Sequence, residues 1–141
     1  MGRNSNASDH LSSVPLFAEC SKTELAAINR AGDRLDLADG SILTRMGESS
    51  REAFVILDGK AVVERNDRKV GVLGPGDAIG ELGLLDRGPR TATVIADGPL
   101  QVLVIGPREF AGLLDQVPSI GRKMMLALSG RIRELDSKAY G

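Results

Sequence analysis

Short apolar segments separated by turn sequences run through the middle of the chain, from about residue 33 to about residue 106. Asp-Gly or Asn-Asp pairs at 39–40, 58–59 and 66–67, and Asp-Gly-Pro at 97–99, are typical of tight turns. Many short strands at close spacing are typical of sandwiches and jelly rolls. This region therefore predicts a mainly β domain, built as an eight-stranded jelly-roll β-barrel.

Two of these turns divide the most apolar strands of the predicted barrel. Asp58-Gly59 predicts a hairpin between a strand at 53–57 and a second strand at 60–65. The Asp-Gly-Pro sequence predicts a break between strands at 91–96 and 100–105. The count of eight strands depends on both of these turns.

Helical sequence flanks the predicted barrel on both sides. Ser21 and Glu24 have the spacing of a capping box and predict a short helix that Gly32 ends. Beyond the barrel, Pro107 and Pro118 begin two predicted helices that span about 107–138. Residues 1–13, rich in Asn and Ser, predict a flexible leader, so we expect the domain itself at 14–141.

One apolar stripe follows the last predicted helix, because Met125, Leu128, Ile132 and Leu135 recur at three- and four-residue spacing. Such a stripe either packs inside the domain or forms a coiled-coil-like seam between two copies of the chain. Both alternatives stay open on the sequence, and the second predicts a homodimer through the C-terminal helix.

Composition excludes several classes of function. The 141 residues suit one domain, and 18 basic against 19 acidic residues leave a net charge of -1. We therefore expect no DNA binding by this chain and no membrane partner, since both require a cationic excess or an apolar span. Cys20 is the only cysteine and residues 1–13 do not resemble a signal peptide, which favours a cytoplasmic location. With His10 as the only histidine, a metal site, a cofactor and an enzymatic triad are not expected.

The segment 79–94, IGELGLLDRGPRTATV, carries the candidate chemistry. Gly80 and Gly83 permit a tight backbone, and residues 81–85 can form one helical turn whose free N–H groups suit an anion. The Arg90 guanidinium can bind two phosphate oxygens at once, Thr91 adds a hydroxyl, and the Glu81 carboxylate can accept a hydrogen bond from a sugar hydroxyl. An ion pair between Glu81 and Arg90 that only closes a surface loop is the structural alternative.

This segment resembles the phosphate-binding cassette of the cyclic-nucleotide-binding domain family. The resemblance extends to FVILDG at 54–59 and LGPGDAIGE at 73–81, and Glu81 and Arg90 stand nine residues apart, as in the kinase-type cassette. It implies that Arg90 binds the cyclic phosphate, that Glu81 binds the ribose 2′-hydroxyl, and that the last helix closes over the base or pairs with a partner chain. The ligand-binding residues that we predict are Gly80, Glu81, Leu82, Gly83, Arg90, Thr91, Val72, Leu73, Leu135 and Asp136.

The resemblance leaves the base and the output open. Thr91 and Asp136 suit guanine, but bacterial-looking domains of this kind usually resemble cyclic AMP binders, so we expect cyclic AMP ahead of cyclic GMP. The implied function is a non-enzymatic sensor that signals to an effector protein, or to a further C-terminal region, through movement of its C-terminal helices. A ligand-free interaction or dimerisation module on the same fold, and a metal-dependent cupin enzyme, are the two alternatives.

Overall fold

The computed structural model of the protein describes residues 7–86 and 88–140. Four α-helices and six strands are found in this part of the chain, together with two short 3₁₀ helices, Pro15–Phe17 and Glu81–Leu84. The second of these is called the site helix below. The helices are α1 Ala7–Ser12, α2 Lys22–Ala31, α3 Pro107–Gln116 and α4 Pro118–Tyr140. The strands are β1 Asp33–Leu37, β2 Ile42–Thr44, β3 Ala53–Arg65, β4 Arg68–Leu73, β5 Ala78–Ile79 and β6 Thr93–Ile105.

The strands form one antiparallel sheet in the order β1-β6-β3-β4, with β2 paired to β6 and β5 paired to β3. The prediction of a mainly β domain with flanking helices is confirmed. The prediction of an eight-stranded barrel is not confirmed, because the described residues form six strands and the sheet is not closed.

The strand count is lower because two predicted turns lie inside long strands. Residues 53–65 form one strand of 13 residues, and residues 93–105 form another. The two pair along their length, but the register shifts around Asp58, since Asp58 lies opposite Gln101 and Lys60 lies opposite Asp97. Gly59 and Gly98 have positive φ angles of 95° and 90°, so each glycine permits an irregularity within a strand instead of a hairpin. The predicted hairpin at Asp58-Gly59 and the predicted break at 97–99 are therefore wrong.

Both faces of the β3–β6 pair are buried, which explains the unbroken apolar run at 53–57. Phe54 and Ile56 lie in a core cluster inside the curved sheet, together with Val94 and Val102. Alternate residues of a strand point to opposite faces. Val55 and its neighbours at positions 53 and 57 accordingly pack on the other face, against the helices.

The N-terminal helices complete the core on the outer face of the sheet. Residues 7–12, which the sequence assigned to a flexible leader, form α1, and Leu11 is fully buried in the helical core. This half of the predicted leader is therefore part of the folded domain, while residues 1–6 lie outside the described residues. The capping box of Ser21 and Glu24 is confirmed, and α2 ends at Gly32 as predicted.

The C-terminal helices begin at Pro107 and Pro118 as predicted. Ile120, Met124 and Ala127 bury the first half of α4, whereas Met125, Ile132 and Leu135 of the predicted stripe are each 66% exposed. Only Leu128 of the stripe packs on the core, and it does so partly. Internal packing is therefore the wrong alternative for three of the four stripe residues, and a dimer seam stays a prediction. Among the described residues, no helix has both the length and the apolar content needed to cross a membrane.

Candidate functional site

A cavity of about 530 Å³ lies where the chain leaves the sheet after β5, passes through the site helix, and returns at β6. One side is formed by the site helix and by the segment before β6, and the other by the inner face of the sheet. The residues that line it are Thr44, Ser50, Val63, Arg65, Leu73, Ala78, Ile79, Gly80, Glu81, Leu82, Gly83, Asp86, Gly88, Pro89, Arg90, Thr91, Ala92 and Val94.

The Arg90 guanidinium is held in this cavity by protein acceptors. Arg90 is only 7% exposed. Its Nη2 donates to Ser50 Oγ at 3.1 Å and to the Glu52 carbonyl oxygen, and its Nη1 donates to the Gly80 carbonyl oxygen at 3.4 Å. The Arg90 backbone is fixed as well, because its N–H donates to the Glu48 carbonyl at 2.9 Å and its carbonyl accepts from Gly47 N–H at 2.8 Å.

The electrostatic environment of Arg90 combines burial with nearby carboxylates. Burial lowers the pKa of the guanidinium, while the charges of Glu52 and Glu81 raise it. The Nε atom of Arg90 is buried and has no hydrogen-bond partner. A buried N–H group without a partner lowers the stability of the fold. The Arg90 side chain can therefore bind an anionic ligand with little further cost in desolvation.

Gly80 places the site helix beside Arg90. Its φ of 69° is in the left-handed region, which a residue with a side chain adopts at a cost. A Cβ atom at this position would also overlap Arg90 Nη1. Both the backbone conformation and the packing of the arginine therefore require glycine here.

Glu81 begins the site helix and is half-buried at the wall of the cavity. Within the described residues no ion pair joins Glu81 to Arg90, so a loop-closing ion pair is not what the two residues form. Its charge is close enough to affect the pKa of Arg90, yet its carboxylate is not used as an acceptor by that guanidinium. The carboxylate is therefore available to a ligand in the same cavity.

The structure brings seven of the ten predicted site residues together at the cavity. These are Leu73, Gly80, Glu81, Leu82, Gly83, Arg90 and Thr91.

Three predicted residues lie elsewhere. Val72 is paired with Val62 and points away from the cavity, 51% exposed, because adjacent residues of β4 face opposite sides and Leu73 takes the inner one. Leu135 and Asp136 are exposed on the second half of α4 and do not line the cavity. In this conformation none of these three residues lines the cavity, and their contacts with a ligand stay predictions.

Sequence reasoning missed residues that belong to the wall opposite the site helix. Ser50 precedes β3 and accepts from Arg90, although 40 positions separate the two residues. Val63 and Arg65 alternate along β3 on the same face of the strand and line the cavity. Their alternation is visible in the sequence, but the face that they occupy depends on the register of the sheet, which the sequence does not give directly.

Comparisons with known proteins identify the family of the chain. The chain matches the family model of the Cyclic nucleotide-binding domain over residues 34–117. It is 35% identical over 119 residues to a cAMP-dependent protein kinase regulatory subunit of Mycosarcoma maydis, and the match covers 78% of this chain and 23% of that protein. The chain spans about a quarter of the length of the first curated relatives that it matches, 23% and 28%.

Solved structures of other proteins share the fold of this chain. The N-terminal domain of a transcriptional regulator from Streptomyces coelicolor A3(2) superposes with a TM-score of 0.85 at 29% identity, covering 94% of this chain and 96% of that one. The Thermus thermophilus Catabolite Activator Protein superposes with a TM-score of 0.72 at 25% identity, covering 89% and 61%. These relatives are named for regulatory roles, as a kinase regulatory subunit, a transcriptional regulator and an activator protein. The chain belongs to the cyclic nucleotide-binding domain family.

Proposed function

We propose that this chain is a cyclic-nucleotide sensor domain that prefers cyclic AMP and acts without catalysis. The observation that carries the proposal is the environment of Arg90, a buried guanidinium that lines a 530 Å³ cavity and keeps one N–H group without a partner. A cyclic phosphate is a monoanion with two free oxygens, which suits a planar guanidinium. Membership of the family supports the same ligand class.

The remaining contacts follow from the wall of the cavity. Glu81 accepts a hydrogen bond from the ribose 2′-hydroxyl, because its carboxylate lies beside the phosphate position and is not paired with Arg90. Thr91 donates its hydroxyl to the phosphate or to the base. Val63 and Leu73 offer an apolar surface to the base on the opposite wall.

Preference for cyclic AMP rests on the relatives. Two kinase regulatory subunits among them are named for cAMP dependence, and a Thermus thermophilus relative is named a cyclic AMP receptor protein. Thr91 is the residue that favours cyclic GMP, because its hydroxyl lines the cavity and can form a hydrogen bond with guanine.

Signal output runs from the site helix to the C-terminal helices. Leu84, on the site helix, is buried in the same cluster as Phe110 and Leu113 of α3 and Met124 of α4. A ligand that shifts the site helix therefore disturbs the packing of both helices. Leu135 and Asp136 reach the nucleotide only if the second half of α4 moves toward the cavity. A separate effector protein or a further region of a longer protein receives the signal.

Calorimetric titration with a panel of ligands tests this function. We expect saturable heats with cyclic AMP, weaker binding of cyclic GMP, and no saturation with adenosine, which lacks a phosphate, or with 5′-AMP, whose phosphate is not cyclised. Tighter binding of cyclic GMP than of cyclic AMP would support the sensor function but reverse the proposed base preference. No heat with any nucleotide, together with an unchanged melting temperature, would contradict the sensor.

A ligand-free interaction or dimerisation module is the second candidate. The exposed apolar side chains of Met125, Ile132 and Leu135 favour it, and Arg90 already has three protein acceptors that could give it a structural role. A dimer in sedimentation experiments, unaffected by any cyclic nucleotide and lost in Ile132→Glu, would support this second candidate over the first.

A further inference from the structure

The Ser50 hydroxyl lies at the cavity but outside the segment 79–94 that carries Glu81 and Arg90. Ser50 belongs to the loop before β3 and is half-buried. Its Oγ lies 3.1 Å from Arg90 Nη2. A polar group from a second part of the chain therefore stands beside the guanidinium that we propose for phosphate binding.

The chemistry of arginine fixes the direction of this hydrogen bond. A guanidinium has only N–H donors and no acceptor, so Ser50 Oγ must accept from Arg90 Nη2. A serine hydroxyl also has one hydrogen of its own to donate. In the part of the chain that the structure describes, no oxygen or nitrogen atom accepts that hydrogen. The Ser50 hydroxyl thus keeps a donor that a ligand can use.

Two other hydroxyls line the cavity, and they differ from Ser50 in this respect. Thr44 Oγ1 donates to the Ala92 carbonyl oxygen at 3.1 Å, so its hydrogen is already used within the fold. Thr91 is exposed, so water competes for its hydrogen. Of these three hydroxyls, only that of Ser50 combines partial burial, contact with the guanidinium and an unused hydrogen.

The loop that carries Ser50 is fixed to the backbone of Arg90. Gly47 N–H donates to the Arg90 carbonyl oxygen at 2.8 Å, and the Glu48 carbonyl oxygen accepts from Arg90 N–H at 2.9 Å. The site helix packs on the same loop, since a Cβ atom at Gly83 would lie 3.5 Å from the Ser50 carbonyl oxygen and 3.6 Å from Arg90 Nη1. Ser50 is therefore in place before a ligand binds, and little conformational freedom is lost when it does.

The charge of Arg90 makes the Ser50 hydroxyl a better donor. Hydrogen bonds in a chain polarise one another, so a hydroxyl that accepts from a cation donates more strongly. A phosphate oxygen bound by a guanidinium lies about 2.8 Å from one of its nitrogen atoms. Such an oxygen can reach hydrogen-bond distance of Ser50 Oγ, because that atom lies beside the same guanidinium.

We propose that Ser50 is a second phosphate-binding residue, whose Oγ accepts from Arg90 and whose O–H donates to one exocyclic oxygen of the cyclic phosphate. The inference rests on the proposed function, because it assigns a further contact to the phosphate of the same nucleotide. It adds a residue from the loop before β3 to a phosphate site that the sequence placed in the segment 79–94 alone.

Calorimetric titration of cyclic AMP into Ser50→Ala tests the contact. We expect binding to weaken by about 10- to 100-fold, the effect of one hydrogen bond to a charged group. Ser49→Ala is the matched control, since Ser49 is the neighbouring serine, is exposed and does not line the cavity, and it should bind as the wild type does. Melting curves establish that both variants are folded. Wild-type affinity in Ser50→Ala would overturn the proposal.

Combination with Arg90→Lys separates donation to the phosphate from orientation of the guanidinium. If Ser50 donates to the phosphate, Ser50→Ala should weaken binding again, by about tenfold or more, when Arg90 is already lysine. If Ser50 only orients the guanidinium, its role ends with the guanidinium, and the double variant should bind as Arg90→Lys does. That second result would overturn the proposal.

Thiophosphate analogues of cyclic AMP test the contact with one oxygen. The Rp and Sp diastereomers each carry sulfur, a poor hydrogen-bond acceptor, at a different exocyclic position of the phosphate. Ser50→Ala should weaken binding of one diastereomer as strongly as that of cyclic AMP. It should leave the affinity for the other almost unchanged, because the sulfur has already removed the contact. Equal losses with both diastereomers would contradict donation to a single phosphate oxygen.

The wild type separates this inference from the proposed function. Saturable binding of cyclic AMP that Ser50→Ala does not weaken supports the sensor and removes Ser50 from the phosphate site. Absence of binding of both cyclic AMP and cyclic GMP to the wild type contradicts the sensor, and the role of Ser50 with it.

Discussion

Gly80 and Arg90 occupy adjoining space, since a Cβ atom on Gly80 would overlap Arg90 Nη1, and the Gly80 carbonyl accepts a hydrogen bond from that same atom at 3.4 Å. The backbone at Gly80 is therefore part of the wall that positions the guanidinium. This contact joins the start of the site helix to the residue that we propose for phosphate binding.

Gly80→Ala should abolish cyclic-nucleotide binding because the new methyl group displaces the Arg90 guanidinium. Gly98→Ala is the matched control, since Gly98 also has a positive φ, 90°, but has no heavy atom within 4 Å of an added Cβ. Both variants should lose about 1–2 kcal/mol of stability from the left-handed backbone. Calorimetric titration should show binding in Gly98→Ala alone. Normal binding by Gly80→Ala would mean that displacement of the Arg90 guanidinium does not affect binding. Arg90 would then not be the residue that binds the phosphate.

Leu84→Ala should destabilise the domain by about 2–5 kcal/mol, because a buried leucine leaves a cavity in the helical core. Leu85→Ala, next along the chain and 44% exposed, should cost less than about 1 kcal/mol. Urea denaturation measures both. If Leu84 links the site helix to α3 and α4, its loss should also reduce the ligand-dependent change in hydrogen exchange of α3 and of residues 118–128. A ligand-dependent change of full size in Leu84→Ala would exclude this link.

The contribution of Glu24 to stability should depend on pH in one direction. Hydrogen bonds from Ser119, Ser21 and Lys123 outweigh the opposing effect of burial and lower the pKa of this carboxyl from its ordinary 4.5 to about 2. A carboxyl with a lowered pKa in the folded state stabilises the fold fully above about pH 4.5 and loses that contribution as the pH falls through about 2.

Glu24→Gln should therefore lower the free energy of unfolding by about 1–3 kcal/mol at pH 6, and the difference from the wild type should shrink between pH 4.5 and pH 2. Urea denaturation at pH 6, 4 and 3 measures it, with Glu134→Gln as the exposed control. A difference that stays constant across these pH values would show that the ionised carboxylate is not the stabilising species.

Local signals in the sequence predicted the parts of the fold that depend on neighbouring residues. The capping box at Ser21, the prolines that begin α3 and α4, and the Asn66-Asp67 turn, with φ angles of 52° and 62°, all act within a few residues. The same Asp-Gly signal failed at Asp58-Gly59 because β6 pairs with both halves of β3, so that the chain continues past the irregularity at Gly59 as one strand. That pairing is a property of the whole sheet.

In the candidate site, too, residues that are close in sequence were predicted and residues that only the sheet brings together were not. Glu81 and Arg90 share one continuous segment, so their spacing in the sequence is enough to pair them in one site. Arg65 lies on β3 and Ser50 lies in the loop before it, so the register of β3 and the path of that loop place them at the cavity. The resemblance to the family predicted Leu135 as a ligand-binding residue, but the contacts of α4 with the core end at Leu128.

The most direct test of the central claim is calorimetric titration of cyclic AMP into the wild type, Arg90→Lys and Arg68→Lys. Lysine keeps the positive charge and loses the planar pair of donors, so Arg90→Lys should weaken binding by about 10- to 100-fold. Arg68 is exposed on β4 outside the cavity, and Arg68→Lys should bind as the wild type does. Circular dichroism melting curves establish that both variants are folded. Equal affinity in all three proteins would contradict the account, because it would mean that the Arg90 guanidinium does not hold the cyclic phosphate.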